Sequence, residues 1–468
     1  MKIEQLYTKC LSQGSYYIIS DNEVAIIDPL RETNQYIEKA KKDNAKIKYV
    51  FETHFHADFV SGHLTLAEKT GGTIVFGPNA TTKFDSHVAF DGEVFKVGDL
   101  SIIALHTPGH TMESTTYLLR DKQGKDIAIF TGDTLFLGDV GRPDLAQKNT
   151  MTQEDLAATL FDSLRNKIMP LADDVMVYPA HGAGSACGKN LSKETVGTLG
   201  DQKQHNYALR KDMTKEEFIK EVTDGLLPPP AYFPLNVALN KEGYKSIDEV
   251  IKIGAKALSV NDFNLVANET DAVIIDVRHQ FKFVKGFIPQ SIFIGLGGTF
   301  APWVGALIKD IHQPILLVVP DHMEKETIIR LSRVGFDNVL GYLNGGFEAW
   351  KISGKEIDTL PSVSAEFLAE QIHKEAIVFD VRKPGEYEAE HIENVPSTPL
   401  DFLNDHISEF PSNKDFYVHC AGGYRSVIAA SILKSRGYSK VIDVAGGYGA
   451  IKKTTIKRTQ VTTCSNSK

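Results

Sequence analysis

Four motifs deliver imidazole or carboxylate groups where an apolar run ends. Glu52-Thr53-His54-Phe55-His56-Ala57-Asp58 follows the run 47–51, and Thr107-Pro108-Gly109-His110-Thr111 follows 102–106. Thr131-Gly132-Asp133 follows 127–130, and Pro179-Ala180-His181-Gly182 follows 175–178. One histidine after a strand is ordinarily a polar loop residue. Four such strand ends in one chain point to a site, because imidazoles and carboxylates that converge this way bind a first-row metal ion. The candidate residues are His54, His56, Asp58, His110, Asp133 and His181.

A second chemistry is carried by Val418-His419-Cys420-Ala421-Gly422-Gly423-Tyr424-Arg425-Ser426, which runs into a helical stretch over 427–435. A cysteine between a buried strand and a helix sits in a ring of backbone N–H groups at the positive end of the helix dipole. Such a cradle favours a thiolate and a bound persulfide anion. Arg425 adds a fixed positive charge, and Gly422 and Gly423 permit the tight backbone path. Cys187, in Gly182-Ala183-Gly184-Ser185-Ala186-Cys187-Gly188-Lys189, follows His181 closely. It is either a sulfur acceptor beside the metal or a small buried residue. The four cysteines (Cys10, Cys187, Cys420, Cys464) are far apart and form no CxxC pair, so free thiols in the reducing cytoplasm are expected.

The elements that position these groups are legible as short Ile-, Val- and Phe-rich runs. Strands are expected over 16–20 and 24–28, joined through Asp21-Asn22, and over 47–52, 74–76, 102–106 and 127–130. Helical spacing is present over 34–43 and 154–166. Sheets covered by helices follow from this pattern. Pro228-Pro229-Pro230 cannot continue a helix and marks the exit from a first domain, 1–235. Beyond it lies an internal repeat. Ala272-Val273-Ile274-Ile275-Asp276-Val277-Arg278 returns as Ala376-Ile377-Val378-Phe379-Asp380-Val381-Arg382, and Asn344-Gly345-Gly346-Phe347 returns as Ala445-Gly446-Gly447-Tyr448. A period of about 100 residues is too long for a solenoid and predicts two tandem α/β domains with parallel sheets, 236–357 and 358–455. The tail 456–468 is expected to be disordered.

Of the 468 residues, 42 % are hydrophobic and 24 % charged, enough apolar material for more than one core. The net charge of −9 excludes a general nucleic-acid binder. No run of about 18 apolar residues is present, so no membrane span is expected, and Met1-Lys2-Ile3-Glu4 lacks the features of a signal peptide. A symmetric homo-oligomer is the expected assembly.

The HxHxD, PGHT, TGD and AHG motifs, in this order, resemble the metallo-β-lactamase superfamily over residues 1 to 230. The resemblance implies an αββα sandwich. The superfamily commonly carries HxHxDH and two metals, but here Phe59 follows Asp58, and a phenyl ring cannot ligate. That departure resembles the persulfide dioxygenases, relatives of glyoxalase II. In that family a single Fe(II) is held by residues matching His54, His110 and Asp133, while His56, Asp58 and His181 orient ligands and bind water. His56 stays open as a further ligand. A two-His, one-carboxylate face leaves positions for a substrate sulfur and O2, and zinc, the alternative metal, has no redox chemistry. Gly141-Arg142-Pro143-Asp144 resembles the GRxD segment of that family, where the arginine lies near the thiol cofactor. Arg142 is either such an anion-binding residue or the partner of Asp144.

The loop Cys420 to Arg425, with its Asp-Val-Arg and Gly-Gly-Tyr flanks and Pro384-Gly385-Glu386-Tyr387, resembles the rhodanese sulfurtransferases. A bare CxxxxR also occurs in phosphatases; the flanks make the match specific. The first repeat has Val318-Val319-Pro320-Asp321-His322-Met323-Glu324 in place of that loop and is expected to be catalytically silent. Together the resemblances imply a fusion that oxidises a thiol persulfide (glutathione, coenzyme A or similar) with O2 to sulfite. Sulfite and a second persulfide would then give thiosulfate through Cys420, detoxifying sulfide-derived sulfur. A zinc thioester hydrolase of the glyoxalase II type with an appended sulfur carrier, and a non-catalytic sulfur carrier, are the alternatives.

Overall fold

The computed structural model describes residues 1–147 and 151–459. The chain divides into two compact units, Met1–Glu249 with Ser332–Gly335, and Val250–Leu331 with the chain from Phe336 onward.

In the first unit two six-stranded sheets each carry helices. One sheet runs in the order Lys2–Thr8, Gln13–Ser20, Glu23–Ile27, Lys46–Phe51, Thr73–Phe76, His87–Val88. The other runs Gly197–Thr198, Met176–Pro179, Asp126–Gly132, Thr115–Arg120, Leu100–His106, Val94–Val97. Alternate residues of a strand point to opposite faces, and both faces here are apolar. Tyr16, Ile18, Ala25 and Ile27 meet Ile102, Tyr117 and Phe130 of the other sheet. Tyr17, Val24 and Ile26, from the same strands, pack outward with Tyr36, Ala40 and Leu66 of the covering helices Asn34–Lys42 and His63–Thr70. Beyond the second sheet, Ile103, Leu118 and Ile129 meet Ala157, Leu160, Leu164 and Phe218. This is the αββα sandwich.

The hairpin at Asp21-Asn22 forms as expected, with φ of 44° and 62°, a two-residue turn that Asp and Asn tolerate. The helix expected over 154–166 is α-helical over Gln153–Ser163, where Thr152 and Asp155 form a capping box, and then widens to a π-helical turn, Leu164–Ile168. The first compact unit does not end at residue 235. Pro234 sits in the first turn of a further helix, Phe233–Glu242, where proline is tolerated, and this helix belongs to the first unit.

The second unit contains two wholly parallel sheets. The order is Ala257–Leu258, Val339–Leu343, Ile315–Val318, Val273–Asp276, Ile292–Phe293 in one, and Ser362–Val363, Val441–Val444, Phe416–His419, Ile377–Asp380 in the other. The repeated Asp-Val-Arg is a buried bidentate pair in both. Arg278 grips Asp276, donates to Gly286 O and lies 4.1 Å over Phe347; Arg382 grips Asp380, donates to Glu390 O and lies 3.8 Å over Tyr448. The repeat therefore spells a structural brace. Part of the expected disordered tail is packed instead: Ile456 is buried, and Arg458 pairs with Ile392 and with Glu390 at 2.6 Å. Apolar burial and an ion pair hold these residues. The remainder, 460–468 with Cys464, lies outside the described residues. Among the described residues no helix is long and apolar enough to cross a membrane.

Candidate metal centre and sulfur-transfer loop

The four strand ends converge. One ligand atom from each of His54, His110 and Asp133 lies within 4.8 Å of the others, and all three residues are buried. His110 Nε2 is 3.5 Å and His54 Nε2 4.0 Å from Asp133 Oδ2. A first-row ion with bonds of about 2.0–2.2 Å holds its donors roughly 3–3.5 Å apart, so small movements would close this set on a metal. Both Asp133 carboxylate oxygens are buried and make no hydrogen bond. Such atoms are costly to leave unsatisfied, and a cation answers that cost. The residues fit a metal.

The imidazoles are oriented from behind. His110 Nδ1 lies 2.8 Å from Arg142 O, a carbonyl that can only accept, so Nδ1 carries the proton and Nε2 presents its lone pair. Thr53 Oγ1 donates to Asp28 Oδ2 at 2.9 Å and lies 3.0 Å from His54 Nδ1, which assigns His54 the same tautomer. Burial, then the neighbouring His56, His110 and His181, hold His54 well below the usual imidazole range. Gly141 is required here because a Cβ would fall 2.0 Å from Asp133 O and 3.0 Å from His110 Nδ1.

His181 Nε2, without a hydrogen bond, lies 3.5 Å from both Asp133 Oδ1 and Asp58 Oδ2. His56 turns elsewhere. Its Nε2 is 3.1 Å from Asp28 Oδ1 and 3.5 Å from Glu52 Oε2, ion-pair contacts off the hydrogen-bond line, and its ring packs on Phe59 with centroids 4.3 Å apart. Burial opposes its charge, but Asp28, Glu52 and Asp58 outweigh burial and raise His56 to about 9. Asp28 and Glu52 carried no expected role, although each also stands at a strand end. Asn240 was not legible at all. It donates to His56 O at 2.8 Å and Phe59 O at 2.9 Å and accepts from Ser61 N at 2.9 Å.

Arg142 pairs bidentately with Asp144 at 2.6 and 2.7 Å and also donates to Ala186 O and Leu227 O, so every guanidinium nitrogen is engaged inside the protein. Of the two expected arrangements the structure contains the Arg–Asp pair. Cys187 is buried, and its sulfur groups with Asp133 and His181 within 4.8 Å. Burial, then the Asp133 and Asp58 charges, push its thiol well up, which disfavours the thiolate.

In the second unit Cys420 follows its strand directly and is buried. Its sulfur accepts from Gly423 N at 3.1 Å and donates to Ser426 Oγ at 3.5 Å. Ser426 and Ser362 donate to the two oxygens of Asp443, at 2.6 and 2.8 Å. Burial, partly offset by those two bonds, raises Asp443 to about 6. The Gly-Gly-Tyr flank is explained by contact: Tyr448 N donates to Cys420 O, and a Cβ on Gly447 would lie 2.3 Å from that oxygen. Arg425 is not an open cation. Glu386 holds it bidentately at 2.5 and 2.8 Å. In the preceding module Val319 stands where Cys420 stands, with Gly346 against its carbonyl.

A metallo-β-lactamase superfamily model matches residues 10–181, and a rhodanese-like domain model matches 259–353 and again 364–454. The cytoplasmic hydroxyacylglutathione hydrolase of Arabidopsis thaliana is 31 % identical over 186 residues, 39 % of this chain and 67 % of that protein. The mitochondrial persulfide dioxygenase ETHE1 of Mus musculus is 29 % identical over 229 residues, 48 % of this chain and 82 % of that protein. A crystal structure of a metallo-β-lactamase from Staphylococcus aureus superposes with a TM-score of 0.64 at 30 % identity, covering 74 % of this chain and 98 % of that one. The chain thus belongs to the metallo-β-lactamase superfamily, its metallo-β-lactamase domain joined to two tandem rhodanese-like domains.

Proposed function

We propose that the first unit oxidises the terminal sulfur of a low-molecular-weight thiol persulfide, and that the last module transfers a second sulfane sulfur to the product. The observation that carries this reading is the joining of two sites in one chain. One is a two-histidine, one-aspartate cluster with both carboxylate oxygens unpartnered; the other is a cysteine whose sulfur accepts a loop N–H. The balance is R–S–S⁻ + O2 + H2O → R–SH + SO3²⁻ + H⁺ at the first site. At the second, Cys420 attacks the outer sulfur of another persulfide and releases R–SH; sulfite then attacks the outer sulfur of Cys420–S–S⁻, giving thiosulfate and the thiolate.

His54, His110 and Asp133 would hold the metal, and iron(II) there supplies the electron-transfer chemistry that O2 requires and zinc lacks. The protein's own part is to keep both imidazoles in the Nε2-presenting tautomer through Thr53 and Arg142 O, and to exclude water with buried walls. His181 Nε2 lies 3.5 Å from both Asp58 Oδ2 and Asp133 Oδ1, beside the carboxylate that would hold the metal. His56, turned to Asp28 and Glu52, is a charge partner in this reading and not a ligand; Cys187 is a buried wall residue. At the second site Gly423 N–H stabilises the sulfur anion. The similarity to mouse persulfide dioxygenase supports this reading, and the rhodanese match supports the transfer step. Small thiols and sulfite are the proposed partners, in the cytoplasm.

One observation favours a second reading, a zinc thioester hydrolase. Asp58 and His181 keep unpartnered atoms beside Asp133, donors a second metal could use, and the Arabidopsis relative is a hydroxyacylglutathione hydrolase. The test is oxygen uptake by protein loaded anaerobically with Fe(II), on adding glutathione persulfide. Uptake with thiosulfate from the parent and sulfite from Cys420→Ser is expected. No uptake despite bound iron, with cleavage of a glutathione thioester by the zinc form, would replace the dioxygenase with the hydrolase.

A further inference from the structure

The module that lacks a cysteine touches the reactive loop of the module that has one. After its strand Ile292–Phe293 the chain continues through Gly295, Gly297 and Gly298. Tyr424, the residue before Arg425, reaches into this segment. Its hydroxyl donates to Gly295 O at 2.6 Å, and its ring packs edge-on against Phe293 with centroids 5.6 Å apart. A Cβ on Gly298 would lie 2.4 Å from Tyr424 Cζ and 2.7 Å from its Cε1 and hydroxyl oxygen. Gly298 is therefore a notch the size of this ring. The helix Arg425–Ser435 is pinned to the same strand, because Phe293 N donates to Ser431 Oγ at 2.9 Å.

The reactive loop needs such an anchor. A Cβ on Gly422 would meet nothing within 4 Å, and Gly423 has φ of +89°. Two successive glycines carry more backbone freedom than any other pair. Among the described residues the one N–H that meets the Cys420 sulfur belongs to Gly423, next in the chain to Tyr424. Fixing the ring and hydroxyl of Tyr424 fixes that peptide.

We propose that the cysteine-free module is the positioning clamp of the sulfur-transfer loop: Gly295 and Gly298 hold Tyr424, which keeps Gly423 N–H aimed at the Cys420 sulfur. Tyr424 is a positioning residue and touches no reacting atom. The inference rests on the reading of Cys420 as the sulfur carrier.

The test uses the full chain and three variants: Tyr424→Phe, which removes only the hydroxyl; Gly298→Ala, which fills the notch; and Gly297→Ala as the control. A Cβ on Gly297 meets nothing within 4 Å, and neither glycine has positive φ. Cys420 is charged with glutathione persulfide, the gain of one sulfur atom is confirmed by mass, and transfer to sulfite is followed in single turnover. Tyr424→Phe and Gly298→Ala are expected to slow transfer at saturating sulfite by about tenfold to a hundredfold, the penalty for a misaligned reacting group. KM for sulfite and oxygen uptake should stay at parental values, the melting temperature of Tyr424→Phe and Gly298→Ala should fall by only a few degrees, and Gly297→Ala should behave as the parent. Charged Tyr424→Phe and Gly298→Ala that transfer at the parental rate, or losses that merely track melting temperature, would overturn the clamp alone. A parent chain that never gains sulfur on Cys420 would overturn the carrier reading and the clamp with it.

Discussion

Replacing Asn240 by alanine strips three hydrogen bonds from the loop that carries His56 and Asp58. Two backbone carbonyls, of His56 and Phe59, and one N–H, of Ser61, lose their partner in a site where Asn240 is 1 % exposed, so water cannot stand in. Each bond contributes about 1 kcal/mol net, and an unsatisfied buried group costs about 1–3 kcal/mol, so a loss of about 3–5 kcal/mol is expected. For a unit of this size that lowers the melting temperature by about 6–20 °C. Asn240→Asp is expected to be no better, since it keeps the acceptor for Ser61 N but aims a second carboxylate oxygen at two carbonyls. The loop begins at His54, so metal affinity should fall by about tenfold to a hundredfold, the usual loss when the support of a ligand is removed. Differential scanning calorimetry reads the first quantity, and competition with a chelator reads the second. A first-unit transition less than about 2 °C below the parent's, the shift expected from a loss of under about 1 kcal/mol, together with unchanged chelator competition, would refute the assignment of the helix Phe233–Glu242 to the support of the site.

Three further outcomes follow from the same geometry. Phe59→His places a donor next in sequence to Asp58, at the position where the superfamily commonly has one, and metal analysis should rise by up to one equivalent per chain over the parent; no rise would show that this donor, Asp58 and His181 do not hold a second ion. Glu386→Gln frees the charge of Arg425, so KM for the dianion sulfite should fall severalfold at low ionic strength, and the effect should shrink as salt is raised; an effect that salt leaves unchanged would contradict an electrostatic origin. Asp443 has its folded pKa raised to about 6 from the ordinary 3.8. The folded state thus holds the proton more tightly than the unfolded chain. The associated stability is fully present below about pH 3.8 and is lost as pH rises through about 6, a difference of about 3 kcal/mol in size. Asp443→Asn removes this slope. Melting curves of parent and variant between pH 4.5 and 7.5 should therefore diverge as pH rises, the variant being the steadier, and parallel curves would mean that Asp443 does not titrate in that range.

The contrast between what could and could not be read lies in sequence distance. The convergence of His54, His110 and Asp133 was legible because each stands next to its own strand: His54 follows Phe51 closely, and Asp133 follows the strand Asp126–Gly132 directly. The strand Thr115–Arg120 and the edge strand Lys2–Thr8 were not anticipated, although the first completes the second sheet. Neither alternates cleanly, because Thr115–Arg120 is buried on both faces and Lys2–Thr8 is half-buried throughout. Partnerships were less legible still. Arg425 reads as an open cation until Glu386, 39 positions earlier, is placed against it. Arg142 reads equally as an anion site or as the partner of Asp144 until that carboxylate and two distant carbonyls consume its donors, after which its backbone oxygen, not its charge, meets His110. A charged residue beside reactive groups therefore has two physical fates, to face the substrate or to lock the frame, and local sequence spacing does not separate them. The loop tyrosine follows the same rule. Tyr424 is an unremarkable letter between Gly423 and Arg425, and its significance comes from Gly298, 126 positions away by its number (424 − 298), where the absence of a side chain makes room for the ring. In a tandem repeat a module without a cysteine can carry such a notch, because the shape of its strand end is set by the Asp276–Arg278 brace and the packing of Phe293, neither of which depends on a cysteine.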